Sequence, residues 1–149
     1  MTRLDPMLAL GLCLVSLSAT AVDYEQREFE GIRFRVYRVA PSRLRLYWRD
    51  PRTGRPYRRF AKVERVIKAA GDGVEFMMNA GIFERGGVPT GLHVEGGNEL
   101  RPLNLKEGEG NFYLKPNGVF GVGADGRAFV LESRAYARSR RRPRLAVQS

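Results

Sequence analysis

Cysteine is almost missing from this chain of 149 residues: the one thiol is Cys13, and histidine is represented by His93 alone. Beyond residue 13 there is no disulfide to form, no cysteine-built metal site and no thiol nucleophile. A lone histidine cannot assemble a metal site with others of its kind, and one in mid-strand is more often packed than catalytic. Lysine is scarce as well, since only Lys62, Lys68, Lys106 and Lys115 stand against 22 arginines among the 26 basic side chains. Phosphate loops of the nucleotide-binding kinds are absent, because Gly86, Gly87, Gly96, Gly97, Gly108 and Gly110 flank strands and open no helix. The longest apolar run, Leu8–Leu17, is too short to cross a bilayer. No cofactor is expected.

What is present is positive charge. Basic side chains outnumber acidic ones 26 to 16, for a formal net charge of +10 at pH 7, and such a surface favours anionic partners. The stretch Arg134–Arg144 holds six arginines and no acid. With only Tyr136 interleaved it lacks the stacking platforms of single-strand binders, so it is expected to be a solvated loop and nucleic acid is not expected as a partner. At the other end, Arg3, the run Leu8–Leu17 and the small residues Ala19, Thr20 and Ala21 have the layout of a signal peptide over residues 1–21. That leaves 22–149 as a single cysteine-free domain, periplasmic or secreted. The plainer alternative is an uncleaved anchor.

Within 22–149, Ile32–Val39 alternates apolar and basic residues, the pattern of a half-buried strand, and Leu44–Trp48 reads as a second strand. Asp50–Pro56 is turn chemistry. Phe60–Ala70 carries apolar residues at 60, 63, 66, 67 and 70 and stops at Gly71, which predicts an amphipathic helix. Val74–Met78, Gly91–Val94, Asn111–Leu114, Val119–Val122 and Ala128–Leu131 read as short strands, the last two joined at Asp125-Gly126. One early helix with many strands predicts an α+β domain around a mixed, largely antiparallel sheet. Leu145–Ser149 reads as the start of a further element, so the domain is expected to be incomplete at residue 149.

Several of these strands end in polar groups. Phe76–Phe83, Pro89–Glu95, Leu100–Asn104 and Gly110–Phe120 form an ordered set of blocks which resembles the phosphodiester glycosidase family, in its bacterial exported branch, over residues 30–149. The resemblance implies a hydrolase that cleaves a sugar-1-phosphodiester in an envelope or extracellular glycan. Its partner would be a phosphorylated glycan or another anionic carbohydrate, with envelope association possible and the oligomeric state open. It implies pocket roles for Asn79 and Gly81, substrate contacts for Asn111 and Lys115, and a loop shaped by Asn117 and Gly118. It also implies that the domain continues past Gln148-Ser149.

The residues themselves allow a mechanism. Glycoside hydrolysis ordinarily uses two carboxylates, one at the anomeric carbon and one protonating the leaving oxygen. A phosphate leaving group is already a good anion, so cations can replace much of the second role. Glu95, at a strand end before Gly96-Gly97, with Arg101 and Lys115 as cations, is then a minimal set, and Asn79 supplies an amide. Glu84, Glu99, Glu107, Glu109 and Asp125 sit in glycine-rich turns and read as solvated. For Asn79 a turn role is equally open, and Pro116-Asn117-Gly118 is a good turn with no function needed. The rival to the enzyme is a non-catalytic module binding anionic glycan or phospholipid, or an inactive truncated remnant.

Overall fold

The computed structural model describes residues 22–149; the signal peptide expected over residues 1–21 lies outside them. Strands β1 (Val22–Phe29) and β2 (Ile32–Val39) form an antiparallel ribbon from Val22↔Val39 to Phe29↔Ile32. The alternating arginines of β2 predict one buried face, but Phe29, Ile32 and Phe34 are 65%, 60% and 45% exposed. No other strand pairs with this ribbon among the described residues. Its aromatic link to the rest is Tyr37, stacked on Phe76 with ring centroids 3.9 Å apart.

Leu44–Trp48 is not a strand. Of its carbonyl groups, that of Leu44 accepts from the Arg144 guanidinium at 3.3 Å, beside the Pro41 oxygen at 3.0 Å, and that of Trp48 accepts from the Tyr57 N–H at 3.0 Å. The turn after it forms as expected, with Gly54 N–H donating to the Asp50 carbonyl at 2.8 Å. Helix α1 (Phe60–Ala69) follows and closes at Gly71, which has φ +82°. Of its apolar stripe only Val63 is buried, while Phe60 and Val66 remain 50% and 40% exposed. Val74–Met78, expected as a strand, is irregular.

A two-residue pair, β3 (Phe83–Glu84) with β4 (Val88–Pro89), leads into the central sheet. That sheet is built from β5 (His93–Glu95), β6 (Asn98–Arg101), β7 (Gly118–Gly123), β8 (Ala128–Glu132) and β9 (Pro143–Gln148) in the order β6-β5-β9-β7-β8. Every pairing in it is antiparallel, so the domain is α+β and the parallel component of a mixed sheet is not seen among the described residues. Gly96 and Gly97 both take positive φ, +56° and +83°, between the paired Glu95 and Asn98. A two-residue hairpin turn whose twist matches its strands needs that geometry at both positions. The Asp125-Gly126 turn joins β7 to β8 as the sequence predicts.

Two segments differ from expectation in kind. Asn111–Tyr113 is a short 3-10 turn, which rolls Phe112 inward to 3% exposure. Arg134–Arg144 is no loose loop: helix α2 (Ser133–Ser139) and the first residues of β9 occupy it. The helix nucleates there because the Glu132 carboxylate accepts hydrogen bonds from the backbone N–H groups of Arg134 and Ala135, both at 2.9 Å, satisfying donors that a helix start leaves unpaired. The helix then buries Tyr136 on Leu92, Val94, Val119 and Ala146 of the sheet. Burial, with a smaller contribution from Glu99, raises the Tyr136 phenol above its ordinary range. Leu145–Ser149, expected to begin a new element, supplies most of the central strand.

The Glu132 cap carries a pH signature. Its two backbone hydrogen bonds, aided by Arg138 and Arg134, hold the carboxyl below its ordinary value of 4.5. A depressed carboxyl stabilises the fold above its unfolded value, and that contribution is lost as pH falls through the lower folded value. Glu132→Gln is therefore expected to lower the melting temperature at pH 7, with the gap to the parent closing as pH drops below 4.5. Thermal melts of both proteins from pH 7 to pH 3 check this; a constant gap would mean that the carboxylate charge is irrelevant to the cap.

Candidate functional site

Several of the polar blocks meet at one buried side chain. Gln148, 1% exposed, accepts through Oε1 from the backbone N–H groups of Leu92 and Asn104, at 3.1 and 2.9 Å. Through Nε2 it donates to the Asn104 carbonyl at 2.8 Å and to Ser133 Oγ at 3.0 Å. That uses all four hydrogen-bonding positions of the amide. Ser133 Oγ passes the chain on, donating to Asn117 Oδ1 at 2.7 Å, and Asn117 Nδ2 donates to the Phe112 carbonyl at 2.9 Å. Asn104 Nδ2 donates to the Thr90 carbonyl at 3.0 Å. Glycine is required where this amide passes Gly91, because a Cβ there would lie 2.7 Å from the Phe112 ring and 2.9 Å from Gln148 Cδ. Gly81 backs on the same strand end, its Cβ position 3.0 Å from the Gln148 carbonyl oxygen.

Above this network lies an open cleft of about 440 Å³, bordered by Ile82–Glu84, Thr90 and Glu109–Tyr113. The Phe112 and Tyr113 rings meet edge to face at 5.2 Å, and Tyr113 lies over Gly108, where an added Cβ would stand 3.0 Å from its ring atoms. Aromatic surface, an amide, a hydroxyl and two carboxylates are therefore presented together. A second hollow, about 320 Å³, runs against the exposed ribbon at Gln26 and Arg33–Arg35 and gathers none of the expected residues.

The residues singled out from the sequence fall in different places. Asn111 borders the cleft, and Gly81 lies beside its floor. Asn79 and Lys115 are exposed, without side-chain hydrogen bonds among the described residues. Asn117 faces inward, 6% exposed, with its amide spent on Phe112 and Ser133; it builds the loop and is not placed to contact a ligand. Arg101 donates from Nε to the Pro89 carbonyl at 3.2 Å.

Glu95 sits at the hairpin end of β5. It is five positions along the chain from Thr90, past a bend at Thr90-Gly91, and is not among the residues that border the cleft. Its Oε1 lies 2.7 Å from His93 Nε2, and the His93 ring packs edge-on to Trp48 at 5.8 Å. Trp48 is fixed in turn by its Nε1, which donates to the Gly87 carbonyl at 2.7 Å. Burial, then Asp50 and Glu95, raises the nearby Tyr57 phenol. No side-chain hydrogen bond or ion pair joins Glu95, Arg101 and Lys115 among the described residues, although Arg101 pairs across the sheet with His93, which holds Glu95. Glu84 and Glu109, which read as solvated turn acids, border the cleft instead. Gln148, Ser133 and Thr90 drew no notice from the sequence, although Gln148 and Thr90 lie in stretches whose order is part of the family likeness.

Over 118 residues, 78% of this chain, the sequence is 34% identical to the uncharacterized protein YigE of Escherichia coli (strain K12). The aligned part is 46% of that protein, so the chain spans about half the length of this relative. No protein-family model matches the chain, and no solved structure matches it.

The network makes an expectation about stability. Gln148→Met keeps the volume but leaves the Leu92 N–H and both backbone groups of Asn104 buried without their partner. At about 1–3 kcal/mol for each orphaned group, the loss should be roughly 3 kcal/mol or more. Urea denaturation measures it, and a loss under about 1 kcal/mol would show that water or local movement replaces the amide.

Proposed function

We propose that this protein is an exported hydrolase of the phosphodiester glycosidase kind, with residues 22–149 forming the N-terminal portion of its domain. Its substrate is a sugar-1-phosphodiester of an envelope or extracellular glycan. The observation that carries the reading is the convergence of Gly81, Gly91, Asn104 and, through Ser133, Asn117 on Gln148. Three blocks that resemble one enzyme family are tied to a single buried amide beside one cleft, and the fourth backs through Gly81 on the main-chain carbonyl of the same residue. Residues with separate local purposes have no need of a shared centre.

The cleft suits the sugar better than the phosphate. Its border carries Glu84 and Glu109 and no lysine or arginine, so a phosphate placed deep within it would meet like charge. Sugar hydroxyls can instead bond the Asn111 amide, the Thr90 hydroxyl and the carboxylates, with Tyr113 offering a ring face. Hydrolysis passes through positive charge at the anomeric carbon, and an adjacent carboxylate stabilises that charge more in the transition state than in the ground state. Glu84 and Glu109 border the cleft and are the carboxylates this reading assigns to the role, whereas Glu95 is not among the bordering residues. The departing phosphate is an anion from the start, so it needs a cation or solvent more than a strong acid.

The reading predicts release of phosphate monoester from some member of a panel of glycosyl-1-phosphodiesters. Glu109→Gln or Glu84→Gln should cost about two to three orders of magnitude in kcat, the scale of one well-placed electrostatic group, while Glu95→Gln stays within a few-fold of the parent. Full loss of activity in Glu95→Gln with normal rates in both cleft variants would return the chemistry to the hairpin end of β5. A folded protein that hydrolyses no member of the panel overturns the enzyme. The binding-module reading then gains if the same protein still retains the glycans.

A further inference from the structure

We propose that α2 and the turn after it form a binding surface for a phosphate-bearing polyanionic chain. Arg134, Arg138, Arg140, Arg141 and Arg142 are all exposed, and none lies within ion-pair distance of a carboxylate among the described residues. Two acids stand near. Glu132 is occupied by the backbone N–H groups that start α2, and Glu99 acts beside Tyr136. Five guanidinium groups without an ion-pair partner, against the single charge of Glu132 near Arg134 and Arg138, make a local positive field on one short segment that scattered surface arginines do not.

These arginines are also held in place. Tyr136, 9% exposed, roots the helix in the core, and Ser139 Oγ donates to the Tyr136 carbonyl at 2.7 Å. Arg140 turns the chain with φ +51°, and the Arg141 guanidinium lies 4.8 Å from the centroid of the Phe129 ring. Arg144 anchors the far side on the carbonyl groups of Pro41 and Leu44. A pre-ordered backbone loses less freedom on binding than a loose tail. Arginine's planar fork pairs with two phosphate oxygens at once, which an ammonium does not.

The shape of the surface favours a polymer over a bilayer. Phe129 is covered by Arg141 and Tyr136 is buried, so no large apolar side chain rises among the arginines to enter lipid. Val130, 74% exposed, alternates to the opposite face of the sheet from Phe129. The surface is separate from the cleft and stands whether or not the cleft turns over substrate. A glycan whose units are joined through phosphate would engage both.

The test titrates the full chain with long-chain inorganic polyphosphate at several salt concentrations, beside vesicles of phosphatidylglycerol in phosphatidylcholine. The triple substitution Arg134→Gln, Arg138→Gln, Arg142→Gln is compared with Arg33→Gln, Arg35→Gln, Arg52→Gln, which removes equal charge elsewhere. With about 0.7 counterion released per phosphate contact on a single strand, the first triple should flatten the slope of log K against log salt by about 2. It should also weaken binding by at least about tenfold, and the second triple by less than about threefold. Equal weakening by the two triples reduces the effect to net charge and overturns the proposal. Vesicle binding that exceeds polyphosphate binding and is lost in the first triple overturns it in favour of a membrane. Circular dichroism melts confirm folding, and if the glutamine triple does not fold, lysines at the same three positions keep the charge but not the fork: several-fold weaker binding supports the proposal, and unchanged binding overturns it.

Discussion

A buried amide that uses every donor and acceptor it has leaves its surroundings little freedom. Gln148 bonds two backbone N–H groups, one carbonyl and one hydroxyl, drawn from the entry to β5, the segment after β6 and the start of α2. In a low-dielectric interior such a network is stabilising only when complete, because each unpaired member carries its full desolvation cost. These three segments and the end of β9 therefore hold their positions together or not at all. The floor of the cleft takes its rigidity from this condition: Thr90 is fixed through Asn104 and Phe112 through Asn117. Loops that would otherwise drift on a small sheet are placed by a single side chain.

The same geometry divides the polar residues of Thr90–Glu95 between two ends. Thr90 and Gly91 belong to the Gln148 end, with the cleft. His93 and Glu95 belong to the hairpin end, packed with Trp48 and near Tyr57. Trp48 holds His93 edge-on and His93 holds Glu95, so this second cluster is built as firmly as the first. Its carboxylate is already engaged by an imidazole, whereas the carboxylates at the cleft meet no basic partner among its bordering residues. A half-buried acid in a strand is easily mistaken for the acid of a site when the chain is read in one dimension.

Where local chemistry decides the structure, the sequence was legible. The helix ending at Gly71, the turns at Asp50–Pro56 and Asp125-Gly126, and strands β2, β7 and β8 all follow from periodicity and turn residues. The α+β class followed from their sum. Two kinds of feature were not legible. Long-range partners are invisible to local pattern: Arg144 bonds the carbonyl of Leu44, and Phe112 is turned inward over Gly91, where Leu44–Trp48 and Asn111–Leu114 are expected as strands. A charge run also hid order, since six arginines obscure the cap at Glu132 and the single anchor Tyr136. Asn111 borders the cleft and Gly81 lies next to the bordering Ile82, in blocks that the sequence set side by side. Glu84 and Glu109 were missed because glycines around an acid describe its flexibility in sequence and not its neighbours in space.

The sheet order has a consequence for how the chain can be made. Strands β5 and β6 are adjacent in sequence, as are β7 and β8, so each hairpin is complete once its own turn has formed. The strand that joins them, β9, comes after both and sits between them, pairing at Val94↔Ala146 and Gly121↔Ala146. Until it arrives, the inner margins of both hairpins present unpaired backbone groups, the condition under which strands find wrong partners. On a ribosome adding roughly 5–20 residues per second, the interval between the end of β8 and the end of β9 is of the order of a second. During that interval α2, capped by Glu132 and carrying its arginines, is the element that can form locally.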